Sequence, residues 1–70
     1  MEWAHVHTWN HLTLPNREMN ALVNDNDLSW LVRDKHDRVV GRGTGSSVEE
    51  AKKSSESCLQ EWFPSFFQKN

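Results

Sequence analysis

The sequence predicts a small α+β domain in the order α-β-β-β-α, a three-stranded antiparallel sheet packed by helices on one face. Three observations predict it. Near the C-terminus, Ser47 and Glu50 sit at capping-box spacing ahead of an apolar stripe that recurs every three or four residues. Upstream, two runs rich in strand-forming residues flank the polar stretch Asp34-Lys35-His36-Asp37. The chain has 70 residues, enough for one core and short of the roughly 100–150 residues of a common domain. Residues 1–70 therefore read as one domain, with an aromatic tail over 63–70.

Taken in order, residues 3–11 contain no glycine or proline, and Trp3, Val6 and Asn10 share one face of a helix. Trp3, His5, His7 and Trp9 also alternate, which a strand permits. The helix is the expectation because it completes the order. Leu14-Pro15 ends that element. Met19 to Val23 reads as the first strand, and Asn24-Asp25-Asn26-Asp27 as its turn. Leu28 to Arg33 is the second strand, and Arg38-Val39-Val40 opens the third. Gly41, Gly43 and Gly45 then alternate with Arg42 and Thr44. Alternate glycines leave one strand face bare, which allows close packing or a bend before the helix.

The last helix begins at Ser47 and ends near Phe63, just before Pro64. Val48, Ala51, Ser55, Cys58, Leu59, Trp62 and Phe66 form its apolar face. The small residues come first and the rings last, so the helix can approach a sheet closely at one end and wedge away at the other.

Composition narrows the function classes. Eight Lys+Arg stand against ten Asp+Glu, which is not the balance of a protein that grips nucleic acid by bulk charge. Cys58 is the sole cysteine, so neither an internal disulfide nor a cysteine-rich zinc site is expected. No apolar run approaches the roughly 20 residues of a membrane span, and Glu2 is acidic where a secretory leader would be basic. The expectation is an intracellular protein with no membrane contact. Four Trp and three Phe accompany an apolar fraction of only 36%. A few large rings amid many polar residues suggest a thin core, completed by a partner.

The run Val40-Gly41-Arg42-Gly43-Thr44-Gly45-Ser46-Ser47, leading into Val48-Glu49-Glu50-Ala51-Lys52, resembles the double-stranded RNA-binding domain family. Leu12-Thr13-Leu14-Pro15 is similar to the turn after that family's first helix. The resemblance implies the α-β-β-β-α fold and three RNA contacts: the first helix, a loop between the first two strands, and lysines opening the second helix. On this sequence the contacts would fall to His5, Lys52 and Lys53. The departures are large. Val48 and Glu49 stand where the family has clamp lysines, and the loop carries Asp25 and Asp27. Lost phosphate contacts lower the electrostatic part of binding, so double-stranded RNA is expected to bind weakly.

The remaining motifs carry little chemistry. His7 and His11, at helical i,i+4 spacing, resemble a zinc pair, with His5, His36 and Cys58 as further donors. No HExxH pattern accompanies them, and they read as surface histidines. Cys58 reads as a structural thiol on the apolar face. Arg33, Lys35, Arg38 and Arg42 make the hairpin basic against Asp34 and Asp37, a pattern that also fits a solvated sheet face. No nucleophile, phosphate-loop or dinucleotide motif is present, so neither catalysis nor a cofactor is expected.

Trp62, Phe63, Phe66 and Phe67 exceed what one helix end can bury, and so mark a partner surface. The function expected is a non-enzymatic module resembling the RNA-binding family with its RNA contacts eroded. It would act through a protein partner or as a homodimer. Weak double-stranded RNA binding is one alternative, and a small inhibitor or antitoxin-like protein is another.

Overall fold

The computed structural model describes residues 3–15 and 18–64. Five strands precede the helix: β1 (Ala4–Val6), β2 (Trp9–Thr13), β3 (Met19–Asn24), β4 (Ser29–Asp34) and β5 (Val39–Thr44), then α1 (Val48–Trp62). They lie in the sheet in their chain order, each antiparallel to the next. This corrects the expected α-β-β-β-α order. The first helix is instead a hairpin, and the sheet has five strands rather than three.

A tight turn decides the first 13 residues. Val6 pairs with Trp9, leaving only His7 and Thr8 to reverse the chain. His7 takes φ 57°, the left-handed region that hairpin turns usually give to glycine or asparagine. Beyond the turn the period is two. Asn10 and Leu12 are buried on one side of β2, while Trp9 and Thr13 are exposed on the other. Asn10 remains satisfied inside, since its Nδ2 donates to Val23 O at 3.3 Å and to Asp25 Oδ1 at 2.6 Å.

The other strands fall close to the sequence expectations. Asn24 closes the β3–β4 turn, its Oδ1 accepting from the Asn26 amide at 2.7 Å. Asp34 closes the β4–β5 turn, its Oδ1 accepting from the amides of His36 at 2.8 Å and Arg38 at 3.0 Å. The β4–β5 ladder slips between Val32 and Arg33, which pair with Gly41 and Val39 and leave Val40 as a bulge.

α1 covers one face of the sheet over β3, β4 and β5. Ala21, Val32 and Leu59 are fully buried between the layers, with Leu12, Leu14 and Met19 nearly so. Trp3, Trp30, Val40 and Phe63 pack around that centre. The helix comes close because small residues meet it. Ala51 and Ser55 are both fully buried on α1. A methyl group on Gly45 would lie 2.8 Å from the Ala51 amide nitrogen, and one on Gly41 would lie 2.5 Å from Cys58 Sγ. At Gly41, Gly43 and Gly45 no φ is positive, so lack of bulk is what these positions require.

At the helix start, Ser47 Oγ accepts from the Glu50 amide at 3.1 Å. Glu50 reaches one residue beyond the expected capping box: its carboxylate accepts from the Ser46 amide at 2.8 Å and the Ser46 hydroxyl at 3.0 Å. Phe63 caps the other end, its amide donating to Leu59 O at 2.8 Å. Among the described residues, no helix is long and apolar enough to cross a membrane.

Candidate functional site: the uncovered face of the sheet

Because α1 takes one face, strand register dictates what the other presents. Across the middle run Ala4, His11, Leu22, Leu31 and Arg42, each paired to the next strand. On one side lie the pairs Val6–Trp9 and Ser29–Thr44. On the other lie Thr13–Asn20, Asn20–Arg33 and Arg33–Val39. The uncovered face thus has an aliphatic centre, Leu22 and Leu31, inside a ring of polar and larger residues.

Its apolar content is unusual for a face turned to water. The exposed large apolar residues among those described are Val6 at 53%, Trp9 at 37%, Val39 at 47% and Trp62 at 56%. Three of these four belong to the uncovered sheet face. At the β4–β5 side Val39 borders a hollow of about 440 Å³, lined also by Leu31, Arg42, Thr44 and Ser29 and, from the α1 side of the strands, by Trp30 and Gly43.

The charges on this face have one sign. Arg33 and Arg42 project from it, and no strand position on it carries a carboxylate. Arg33 Nε donates to Asn20 Oδ1 at 3.2 Å. Arg42 pairs with no carboxylate among the described residues. At the Thr13–Asn20 end the rim carries Asp37 with Lys35, while two other acids near it are engaged. Asp27 Oδ1 accepts from Ser29 N at 2.9 Å and Ser29 Oγ at 2.6 Å, bonds that hold its pKa below the usual value. Asp34 accepts from the Arg38 backbone and guanidinium, and its pKa is likewise lowered, first by the Arg38 amide.

The residues singled out in the sequence lie elsewhere. His5 is on β1, its Nε2 2.7 Å from Asp25 Oδ2. That bond first, then the one from Asn10, lowers the Asp25 pKa, with Lys52 adding a smaller pull. Lys52 Nζ lies 3.8 Å from Glu49 Oε1 and 5.6 Å from the centre of the Trp3 ring. The Trp3 indole N–H donates to Glu56 at 2.6 Å. His5 and Lys52 therefore share a neighbourhood, with the Asp25 carboxylate in it, while Lys53 stands exposed on α1. Of the aromatic set, Trp62 is exposed and Phe63 packs against the core; Phe66 and Phe67 lie outside the described residues.

Cys58 is half-buried beside Gly41, and burial, then Glu61, pushes its thiol above the ordinary range. Such a thiol is a poor nucleophile. His7 and His11 do not share a helical face, since His7 forms the first turn and His11 lies on β2.

The residues of the uncovered face carried a faint signal in sequence. Trp9, His11 and Thr13 alternate with Asn10 and Leu12, and Leu31 and Arg33 with Trp30 and Val32. Both sets have period two. With apolar residues at both phases, the alternation alone does not say which phase meets the helix. Comparison with known proteins gives no matching family model, no similar curated protein and no similar solved structure.

Proposed function

We propose that this chain is a non-enzymatic binding module that engages a protein partner through the sheet face opposite α1. The observation that carries the reading is the exposure of Val6 and Trp9 at one corner of that face and Val39 at the opposite one, with half-buried Leu31 and buried Leu22 between them. Antiparallel sheets with one wet face usually turn polar residues to it. Covering this apolar area would be favourable at about 25 cal/mol per Å². The end of α1 offers a smaller surface, because among the described residues it presents Trp62 while Phe63 packs inward. The RNA reading through His5, Lys52 and Lys53 is weaker still, because carboxylates that repel phosphate stand among them, Asp25 2.7 Å from His5 and Glu49 3.8 Å from Lys52.

Site-specific photocross-linking tests the reading. Benzoylphenylalanine in place of Val39 should trap protein in producing cells, and the same group in place of Lys53 should not. Adducts from position 53 that ribonuclease removes would replace this reading with RNA binding. Equal yields from both positions, or none from either, would overturn it.

A further inference from the structure

Resting on the reading of this face as a protein-binding surface, we infer that its partner is an acidic amphipathic segment. Its apolar side chains would lie over Leu22 and Leu31, and its carboxylates would meet Arg42. Charge argues for this occupant first. Arg33 and Arg42 stand on a face whose strand positions hold no carboxylate, in a chain of net charge −2. The positive side chains here are segregated from the chain's excess of acids. Asp25, Asp27 and Asp34 are already held by His5 and Asn10, by Ser29, and by Arg38, and Asp37 lies at the far end from Arg42, beside Thr13, Asn20 and Lys35. Among the described residues Arg42 has no side-chain hydrogen-bond partner, and it stands beside the hollow. A carboxylate reaching it there would make a charge-assisted, bidentate pair.

The same features argue against a second copy of the chain. A second copy would offer these arginines no carboxylate from its own strand positions, since the same positions on it hold none. They also argue against single-stranded nucleic acid. Bases need flat rings to stack on. Trp30, which lines the hollow with Arg42, belongs to the α1 side and packs against the core. The rings on this face by register, Trp9 and His11, both lie on β2, whereas the arginines lie on β4 and β5. Between them is the aliphatic Leu22–Leu31 pair, which suits leucine-like side chains.

Dimensions agree with a short helix. From β1 to β5 the face is four strand spacings wide, about 19 Å at roughly 4.8 Å each. A helix of about 13 residues spans that width at 1.5 Å per residue. Apolar residues at i, i+3, i+4 and i+7 would then face the sheet.

The test is selection of random 16-residue peptides displayed on phage against the full chain, followed by titration of the synthesised winners. Enriched peptides are expected to be net acidic with large apolar residues at helical spacing. Arg42→Glu should weaken their binding at least tenfold, and Lys53→Glu should leave it unchanged. Circular dichroism should show both variants folded; Arg42→Gln, expected to lose several-fold, serves if Arg42→Glu does not fold.

Winners without acidic bias, or indifferent to Arg42, would overturn the acidic partner. If those winners still lost binding on Leu31→Asp, the protein-binding face itself would stand. No enrichment at all would overturn both. Arg42-dependent binding of a 12-nucleotide oligouridylate would assign the face to nucleic acid instead. A parent dimer that Arg42→Glu abolishes would assign it to a second copy.

Discussion

At position 41 one missing methyl group sets how closely helix and sheet approach. A Cβ there would lie 2.5 Å from Cys58 Sγ, a separation that real side chains do not tolerate. The opposing atom is the tip of a small side chain, so the conflict belongs to the pair and not to the backbone. Gly41→Ala is therefore expected to destabilise the protein by about 1–3 kcal/mol, the usual cost of overpacking. In a Cys58→Ala background most of that cost should vanish, because the obstructing sulfur is gone and Cys58 Cβ is an acceptable 3.8 Å away. Urea melts of the four proteins in this cycle measure the coupling. An additive double mutant would mean that helix and sheet are not in contact here. Gly45 differs, since its obstacle is the Ala51 backbone. No side-chain replacement should rescue Gly45→Ala.

The elements themselves owe much to side chains that bond the backbone. Asp34 holds the β4–β5 turn, Asp27 anchors the start of β4, and Glu50 holds the approach to α1. Each accepts from backbone amides, and each has its pKa lowered from the ordinary 3.8 or 4.5, Asp27 first by the Ser29 hydroxyl and Asp34 and Glu50 first by those amides. Lowered values in the folded state mean that the unfolded chain binds protons first as pH falls. The stability they contribute is then complete above about pH 5 and is lost as pH drops through the folded values, which lie below 3.8 for Asp27 and Asp34 and below 4.5 for Glu50. The melting temperature should be level between pH 7 and 5 and decline below about 4. Asp34→Asn should melt below the parent at pH 7 and converge with it near pH 2. A constant gap across that range would show that the turn does not depend on the charge.

These local devices are also what made the elements legible. Ser47 with Glu50, Pro64, and the Asn/Asp turns are short-range signals, and α1, β3, β4 and β5 lie close to where those residues place them. The first hairpin lacked such a signal. Its turn is His7-Thr8, with neither glycine nor asparagine at the positive-φ position. The sequence therefore showed an unbroken stretch from Trp3 to His11, and the helical phase of Trp3 and Val6 competed with their true alternation.

At the scale of the whole molecule, adding two strands changes what the sheet can do. With a helix at each end of a three-stranded sheet, both helices would share one face and much of the apolar surface would be used inside. In the meander, α1 serves one face, and five strands share a second face that no element among those described covers. That division was not legible, because it depends on which phase of each strand meets α1. Val32 and Val39 are the same residue type, each inside a predicted strand.

The fold separates them: Val32 is fully buried under the helix, and Val39 is 47% exposed on the opposite face. Truncating Val32 removes methyl groups from a packed centre and leaves a void, whereas truncating Val39 removes groups already in water. Val32→Ala should cost about 2–3 kcal/mol, a large share of the stability of so small a domain. Val39→Ala should cost under about 0.5 kcal/mol and should weaken the acidic peptides selected on the uncovered face. Thermal melts and peptide titration on the two variants read both effects together. A destabilised Val39→Ala would mean that this face is part of the chain's own core. Unchanged stability in Val32→Ala would mean that α1 does not pack where it is placed.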